Sequence, residues 1–190
     1  MLILRTNKIS LYNLNKFDDN FIIRLSKDSY RPKGLAKNEA KLYNESDTLL
    51  NYKLYLAFDN QDCSVINNAK LPLIVIHENL KYLDEGDIIS VSTKNNNLAV
   101  LYRKNSTSNS FLLTERCNHY CLMCSQPPKN IQDDYLIQEV LDAIPLIDKN
   151  TEEIGLTGGE PTLLGESLFK IITQSKNFLP NTSLHLLTNG

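Results

Sequence analysis

From Phe111 onward the chain alternates short apolar runs with helical patterns, and this alternation restricts the fold more than any other feature. Three runs predict strands: FLLTE, EEIGLTGGEP and SLHLLTNG, which begin at Phe111, Glu152 and Ser183. Between them, apolar residues recur at intervals of three and four, as on one face of a helix. Strands that alternate with helices favour βαβ units and a parallel sheet, so we expect an α/β fold here.

Two helices should cover this sheet. The first apolar stripe is formed by Ile137, Val140, Leu141 and Ile144. Pro145 should end or kink that helix. The second stripe is formed by Leu164, Leu168, Ile171 and Ile172. Because the third strand reaches Gly190 before any further helix, we expect a truncated sheet with an uncovered face.

The first hundred residues contain β-type runs instead of long helical periods. These runs are LILRT, FIIRLS, YKLYLAF, LPLIVIH, DIISVST and LAVLYRK. The last two predict a β-hairpin around residues 95–97, since asparagine tolerates the left-handed conformations of tight turns. One helix is expected at about Leu35–Tyr43, and the polar segment Tyr102–Ser110 is expected to be a linker.

The charge balance changes near residue 105. Residues 1–105 have a net charge of +3 and residues 106–190 of −5, against −2 for the whole chain. This change favours two domains: a β-rich accessory domain over 1–105 and an α/β domain over 106–190. No block of Lys or Arg stands out, so we expect no nucleic-acid partner.

Neither a membrane segment nor a signal peptide is evident. The longest apolar run, LPLIVI, is far shorter than the ~20 residues that span a bilayer. The first residues, MLILRTNKIS, lack the long apolar core and the cleavage site of a secretory signal. We therefore expect a cytoplasmic protein without membrane contact.

Three of the four cysteines lie within eight residues, in the sequence CNHYCLMC. Cys117, Cys121 and Cys124 form C-x3-C-x2-C after the first strand of the α/β region. Such thiolates suit iron or zinc, and a cytosolic setting argues against a structural disulfide. A zinc site remains an alternative, because His119 would complete a Cys3His set of ligands. Ligands only two residues apart would, however, strain its tetrahedral geometry. Three thiolates on a [4Fe–4S] cluster would leave one iron open to a substrate.

C-x3-C-x2-C after the first strand, with GGEP (Gly158–Pro161) after the second, resembles the radical S-adenosylmethionine superfamily. The resemblance covers about residues 110–190 and implies the first βαβαβ part of a partial (β/α) barrel, truncated after the third strand. It implies an oxidoreductase with a [4Fe–4S] cluster on Cys117, Cys121 and Cys124. The open iron would bind S-adenosylmethionine, whose cleavage gives a radical that removes a substrate hydrogen. A chain truncated in this way should turn over S-adenosylmethionine poorly by itself.

The resemblance also implies the residues that contact S-adenosylmethionine, and leaves the catalytic residues unknown. The implied contacts are Met123, Gly158, Gly159, Glu160, Pro161, Thr188 and Asn189. The glycines would let the backbone approach the ligand, and Glu160 would accept a hydrogen bond from its ammonium group. The family usually has an aromatic residue at Met123, where the backbone meets the adenine. Simpler interpretations stay open: a tight glycine turn, a solvated carboxylate at Glu160, and a turn at the end of the third strand.

A more specific resemblance is confined to two short segments of the sequence. TERCNHYCLMCSQPPK (Thr114–Lys129) with LTGGEPTLLG (Leu156–Gly165) is similar to the maturases of the His-Xaa-Ser system, above all in CSQPP. It implies a ribosomally made substrate peptide with His-Xaa-Ser repeats, a second maturase and an electron donor as partners. The domain over 1–105 would hold the peptide or a partner by strand addition, or only support the barrel. Two alternatives stay open: a glycyl radical activating enzyme, and a zinc-bound module without chemistry.

Overall fold

A computed structural model of the chain describes residues 4–29, 38–46, 52–124 and 127–190. The chain divides into two compact units, Met1–Lys104 and Asn105–Gly190. They are called the N-terminal and the C-terminal unit. Across the described residues, no helix is both long enough and apolar enough to pass through a bilayer.

The described part of the N-terminal unit contains one eight-stranded sheet and a short helix. Its elements are β1 (Arg5–Thr6), β2 (Ile9–Tyr12), β3 (Asn20–Ser26), β4 (Glu39–Leu42), β5 (Tyr55–Phe58), α1 (Ser64–Asn68), β6 (Leu73–Ile76), β7 (Ile88–Ser92) and β8 (Asn97–Tyr102). The strand order is β1-β8-β7-β3-β4-β5-β6-β2. A 3₁₀ turn, Glu78–Leu80, follows β6.

The first two strands join the opposite ends of this sheet. β1 pairs with β8 and β2 pairs with β6, both antiparallel. Only Asn7 and Lys8 separate them, which limits the distance between the Cα atoms of Thr6 and Ile9 to about 11 Å. The sheet therefore curves until its two ends approach each other.

Both faces of the sheet are packed with apolar side chains. One face carries the larger core, which includes Leu25, Leu56 and Ile74, all fully buried. The opposite face carries Tyr55 and Ala57, and a second cluster there includes Ile66 of α1. The alternation of the two clusters along β5 follows the two-residue period of a strand.

The predicted β7–β8 hairpin is confirmed, and the predicted helix at Leu35–Tyr43 is wrong. Its residues 35–37 lie outside the described residues, while Glu39–Leu42 form β4 between β3 and β5. Ala40 and Leu42 are buried in the core, and the amino group of buried Lys41 donates to the carbonyl of Lys27 at 2.6 Å. Pairing on both sides outweighs the local helix preference of this segment. Strand β2 and helix α1 were not predicted.

The C-terminal unit is a three-stranded sheet with two helices, over its described residues. Its elements are β9 (Ser110–Leu112), α2 (Tyr135–Ala143), β10 (Glu153–Thr157), α3 (Glu166–Phe178) and β11 (Ser183–Leu186). Short 3₁₀ turns occupy Ile144–Leu146 and Pro161–Leu164. β10 lies between β9 and β11 and is parallel to both. The predicted parallel sheet and the α/β class are confirmed.

The two predicted helices exist, with small shifts of their buried faces. α2 ends before Pro145, as predicted, and buries Leu136, Val140 and Ala143. In α3, Leu168 and Ile171 are buried, and Ser175 completes the stripe. Leu164 belongs to the 3₁₀ turn before α3 instead of to the helix.

Candidate functional site

The predicted site residues follow the carboxyl ends of three parallel strands. Cys117 follows β9, Gly158 follows β10, and Thr188 follows β11. Because parallel strands end at the same edge of a sheet, the three segments meet there. Cys117–Cys124 is called the cysteine loop. Thr114–Arg116, Gly158–Glu160 and Asp133 are called the frame.

Asp133 holds the segment that enters the cysteine loop. This side chain is fully buried, and one carboxylate oxygen accepts from the hydroxyl of Thr114 at 2.9 Å and from the amide of Glu115 at 2.5 Å. The other oxygen lies 2.9 Å from Nε of Arg116. The three residues before Cys117 are therefore fixed by one carboxylate.

The charge state of Asp133 follows from these contacts. Burial alone would raise the pKa of its carboxyl group. The hydrogen bonds from Glu115 and Thr114 and the positive charge of Arg116 outweigh burial and hold the pKa below its usual value. Asp133 is therefore ionised at neutral pH. Asp134 meets the same guanidinium at 2.8 Å but is 73% exposed.

The segments that precede and follow the cysteine loop are bonded to each other. The amide of Lys129 donates to the carbonyl of Glu115 at 3.1 Å. The ammonium group of Lys129 lies 2.6 Å from the carboxylate of Glu115. These contacts close the thirteen residues between them into a loop. Ser125 and Gln126, part of the CSQPP sequence, lie outside the described residues.

Gly158 and Gly159 pack directly against the backbone that leads into the cysteine loop. The amide of Gly159 donates to the carbonyl of Thr114 at 2.8 Å. A Cβ atom on Gly158 would lie 2.4 Å from that carbonyl oxygen, and one on Gly159 would lie 2.2 Å from the carbonyl oxygen of Arg116. Only glycine permits this approach, so a side chain at either position would displace the start of the loop.

Glu160 joins the turn after β10 to the end of β11. Its Oε1 accepts from the amide of Thr162 at 3.0 Å and from the hydroxyls of Thr162 at 2.7 Å and Thr188 at 2.8 Å. Its Oε2 accepts from the amide of Asn189 at 2.7 Å. Its own amide donates to the carbonyl of Arg116 at 2.9 Å. Through its side chain and its backbone amide together, Glu160 therefore connects all three strand ends.

The interpretation of Glu160 as a solvated turn carboxylate is wrong, because the residue is only 1% exposed. Burial favours the neutral acid, but the hydrogen bonds from Asn189, Thr162 and Thr188 outweigh it and lower the pKa of Glu160 to about 2. With four donors already on this carboxylate, its contact with a cofactor ammonium stays a prediction. Pro161, also buried, begins the 3₁₀ turn after Glu160.

Asn189 reaches the first cysteine. Its side-chain Nδ2 donates to Sγ of Cys117 at 3.7 Å and to Oδ1 of Asn118 at 3.1 Å. Thr188 faces Glu160 through its hydroxyl. The structure therefore brings Cys117, Gly159, Glu160, Thr188 and Asn189 together.

The rest of the cysteine loop points into solvent. Cys121 and Cys124 are exposed, Cys117 is half-buried, and none of the three forms a disulfide. Met123 is 93% exposed, so the structure does not pack it against the frame. Among the described residues, no three His, Cys, Asp or Glu side chains converge in the way that a bound metal requires. The thiols share a loop but are not gathered in it.

The remaining histidines and the fourth cysteine lie elsewhere. His119 is exposed and its ring nitrogen Nδ1 lies 3.3 Å from Oδ1 of Asn118. His185 pairs with Glu153 at 3.3 Å, and His77 caps the 3₁₀ turn after β6. Cys63 packs partly buried against the second core cluster, where burial raises the pKa of its thiol.

Sequence reasoning missed Asp133 and Arg116. Arg116 immediately precedes the first cysteine, and two aspartates precede α2, but no local pattern pairs them across eighteen residues. A basic residue before the loop and an acidic pair before the next helix were the available signals.

A family model described as Radical SAM superfamily matches residues 111–190. No curated protein and no solved structure matches the chain. The match implies radical SAM enzyme chemistry in this region, and the superfamily typically binds a [4Fe–4S] cluster and S-adenosylmethionine. The mixed α/β structure is consistent with a partial radical SAM fold.

The residues of the site fit such a cluster in donor chemistry. Three cysteines within eight residues, none of them in a disulfide, are the kind of ligand that iron–sulfur clusters use. The glycine turn packs against the first of them: a Cβ atom on Gly159 would lie 2.9 Å from Cβ of Cys117 and 2.2 Å from the carbonyl oxygen of Arg116. Residues on the frame hold that cysteine, and the other two are accessible to an inorganic ligand.

Proposed function

We propose that the chain is a radical SAM enzyme that modifies a ribosomally made peptide with His-Xaa-Ser repeats. The family match over residues 111–190 is the observation that carries the enzymatic part. The resemblance of Thr114–Lys129 and Leu156–Gly165 to the His-Xaa-Ser maturases supports the substrate. Cys117, Cys121 and Cys124 would hold the [4Fe–4S] cluster, and S-adenosylmethionine would bind beside it.

The chain's own residues would bind and orient the reactants. When bound, the cluster supplies the electron that cleaves S-adenosylmethionine. Gly158 and Gly159 let the turn after β10 pack directly against the backbone before Cys117, which would fix the position of the first cluster ligand. Glu160, Thr188 and Asn189 would form the polar wall on the side of β11. The backbone near Met123 is the proposed contact for the adenine.

The proposed function requires partners. A low-potential electron donor, the substrate peptide and a second maturase would meet the protein in the cytoplasm. We propose that the N-terminal unit holds the peptide or the maturase along β2 (Ile9–Tyr12). Among the described strands, β2 pairs only with β6, so its outer edge could accept a further strand.

Anaerobic reconstitution of the whole 190-residue chain with iron and sulfide tests the enzymatic part. We expect about four irons per chain, and an electron paramagnetic resonance spectrum that changes when S-adenosylmethionine is added. The matched control is the variant Cys117→Ser, Cys121→Ser, Cys124→Ser, which should bind no cluster. Stoichiometric zinc in place of iron, or a cluster spectrum that S-adenosylmethionine leaves unchanged, would contradict the proposal.

A binding experiment tests the substrate part. We expect a labelled peptide with His-Xaa-Ser repeats to bind the chain more tightly than the same peptide with each His replaced by Ala. Fluorescence anisotropy measures both affinities without requiring turnover. Equal affinities would contradict the proposed substrate, and activation of a glycyl radical protein would favour an activating enzyme instead.

A further inference from the structure

Asn189 lies outside the cysteine loop, and its side chain donates a hydrogen bond to a cysteine of that loop. Its Nδ2 lies 3.7 Å from Sγ of Cys117, within the range of an N–H···S hydrogen bond. The two residues are 72 positions apart in the sequence, so the contact depends on the fold. The second N–H bond of the amide is directed to Oδ1 of Asn118 at 3.1 Å.

A buried carboxylate sets the position of Asn189. The backbone amide of Asn189 donates to Oε2 of Glu160 at 2.7 Å. The hydroxyl of the preceding residue, Thr188, donates to Oε1 of Glu160 at 2.8 Å. Glu160 is in turn fixed by Thr162 on its other side. The Asn189 side chain therefore extends toward Cys117 from a backbone that is held at two successive residues.

We propose that Asn189 is a positioning residue that raises the reduction potential of a cluster bound at Cys117, with Glu160 holding its backbone. This inference rests on the proposed function. A hydrogen bond to a cluster sulfur withdraws electron density and stabilises the reduced, more negative state. Because Asn189 donates directly to Sγ of Cys117, the effect should depend on this amide.

Redox titration of the reconstituted chain tests the inference. A net hydrogen bond of ordinary strength corresponds to about a twofold to tenfold change in an equilibrium. At a fixed solution potential, Asn189→Ala should therefore lower the ratio of reduced to oxidised cluster by about twofold to tenfold; tenfold is 59 mV for one electron. Asn189→Asp should lower it further, because a carboxylate adds negative charge beside the sulfur.

The matched control is Asn181→Ala. Asn181 is an exposed asparagine that precedes the first residue of β11, at the end of the strand away from Asn189. It should leave both the iron content and the potential unchanged. An unchanged potential in Asn189→Ala at full iron content would overturn this inference alone. Loss of iron from Asn189→Ala and Asn189→Asp would also overturn it, because Asn189 would then serve assembly. Absence of any iron–sulfur spectrum from the unsubstituted chain would overturn the proposed function as well.

Discussion

The frame and the cysteine loop are neighbours in sequence but differ in how they are held. Asp133 and Glu160 are buried and accept several hydrogen bonds each, from residues on both sides of the site. Cys121 and Cys124 are exposed, and within their turn the amide of Cys124 donates to the carbonyl of Cys121 at 3.0 Å. The frame is therefore packed by the protein itself, whereas under the proposed function the cysteine loop would be fixed by the cluster that it binds.

This division has a physical reason. A buried carboxylate is stable only when donors compensate for its lost hydration, so Asp133 and Glu160 require the surrounding fold. Thiolates gathered without a metal would repel one another, whereas bound iron and sulfide compensate for their charge. The fold alone therefore stabilises the frame, while the cysteine loop would require the proposed cluster to bring its thiolates together.

Replacing Asp133 should produce the largest loss of stability in the metal-free protein. Asp133→Ala leaves the Thr114 hydroxyl and the Glu115 amide without their acceptor, and Arg116 without its buried partner. We expect the free energy of unfolding to fall by about 3–5 kcal/mol, measured by urea denaturation. The neighbouring Asp134→Ala removes an exposed ion pair with the same arginine and should cost less than about 1 kcal/mol. Equal losses would show that the frame is not held by the buried carboxylate.

Replacing Glu160 should have a smaller effect that depends on pH. At neutral pH, Glu160→Gln should cost about 2 kcal/mol, because an amide nitrogen replaces one of two accepting oxygens. Since folding lowers the pKa of Glu160 from 4.5 to about 2, its contribution is complete above pH 4.5 and is lost as the pH falls toward 2. The difference between the two proteins should therefore shrink over that window in urea denaturation series.

The control for this series is Glu152→Gln, an exposed carboxylate before β10. It should leave stability unchanged across the same pH range. A constant difference between the unsubstituted chain and Glu160→Gln down to pH 2.5 would contradict the ionised, hydrogen-bonded state of Glu160.

The sequence predicts the parts of the molecule that depend on local pattern. The parallel sheet of the C-terminal unit and the ends of its helices follow from periodicity and from Pro145. The partners of Asp133 and the burial of Glu160 do not, because both arise from contacts between distant segments. The helix predicted over Leu35–Tyr43 fails for the same reason, since β4 is stabilised by strands on both sides. Local patterns therefore identify the residues of the candidate site but not the contacts that fix their positions.

The smallest expected effect concerns the cysteine loop. Because Cys121 and Cys124 are exposed and Cys117 is half-buried, the three contribute little packing in the metal-free protein. The variant Cys117→Ser, Cys121→Ser, Cys124→Ser should change the free energy of unfolding by no more than about 0.5 kcal/mol. Cys63→Ser is the matched control, and it should cost about 1 kcal/mol because Cys63 packs against a core cluster.

Urea denaturation of both variants without metal, followed by the same measurement after anaerobic reconstitution, separates the two roles. Iron and sulfide should stabilise the unsubstituted chain and Cys63→Ser, since a ligand that binds only the folded state adds to its stability. The triple variant should gain nothing. If it instead lost more than about 2 kcal/mol without metal, the loop would be packed by the protein itself, and the contrast with the frame would not hold.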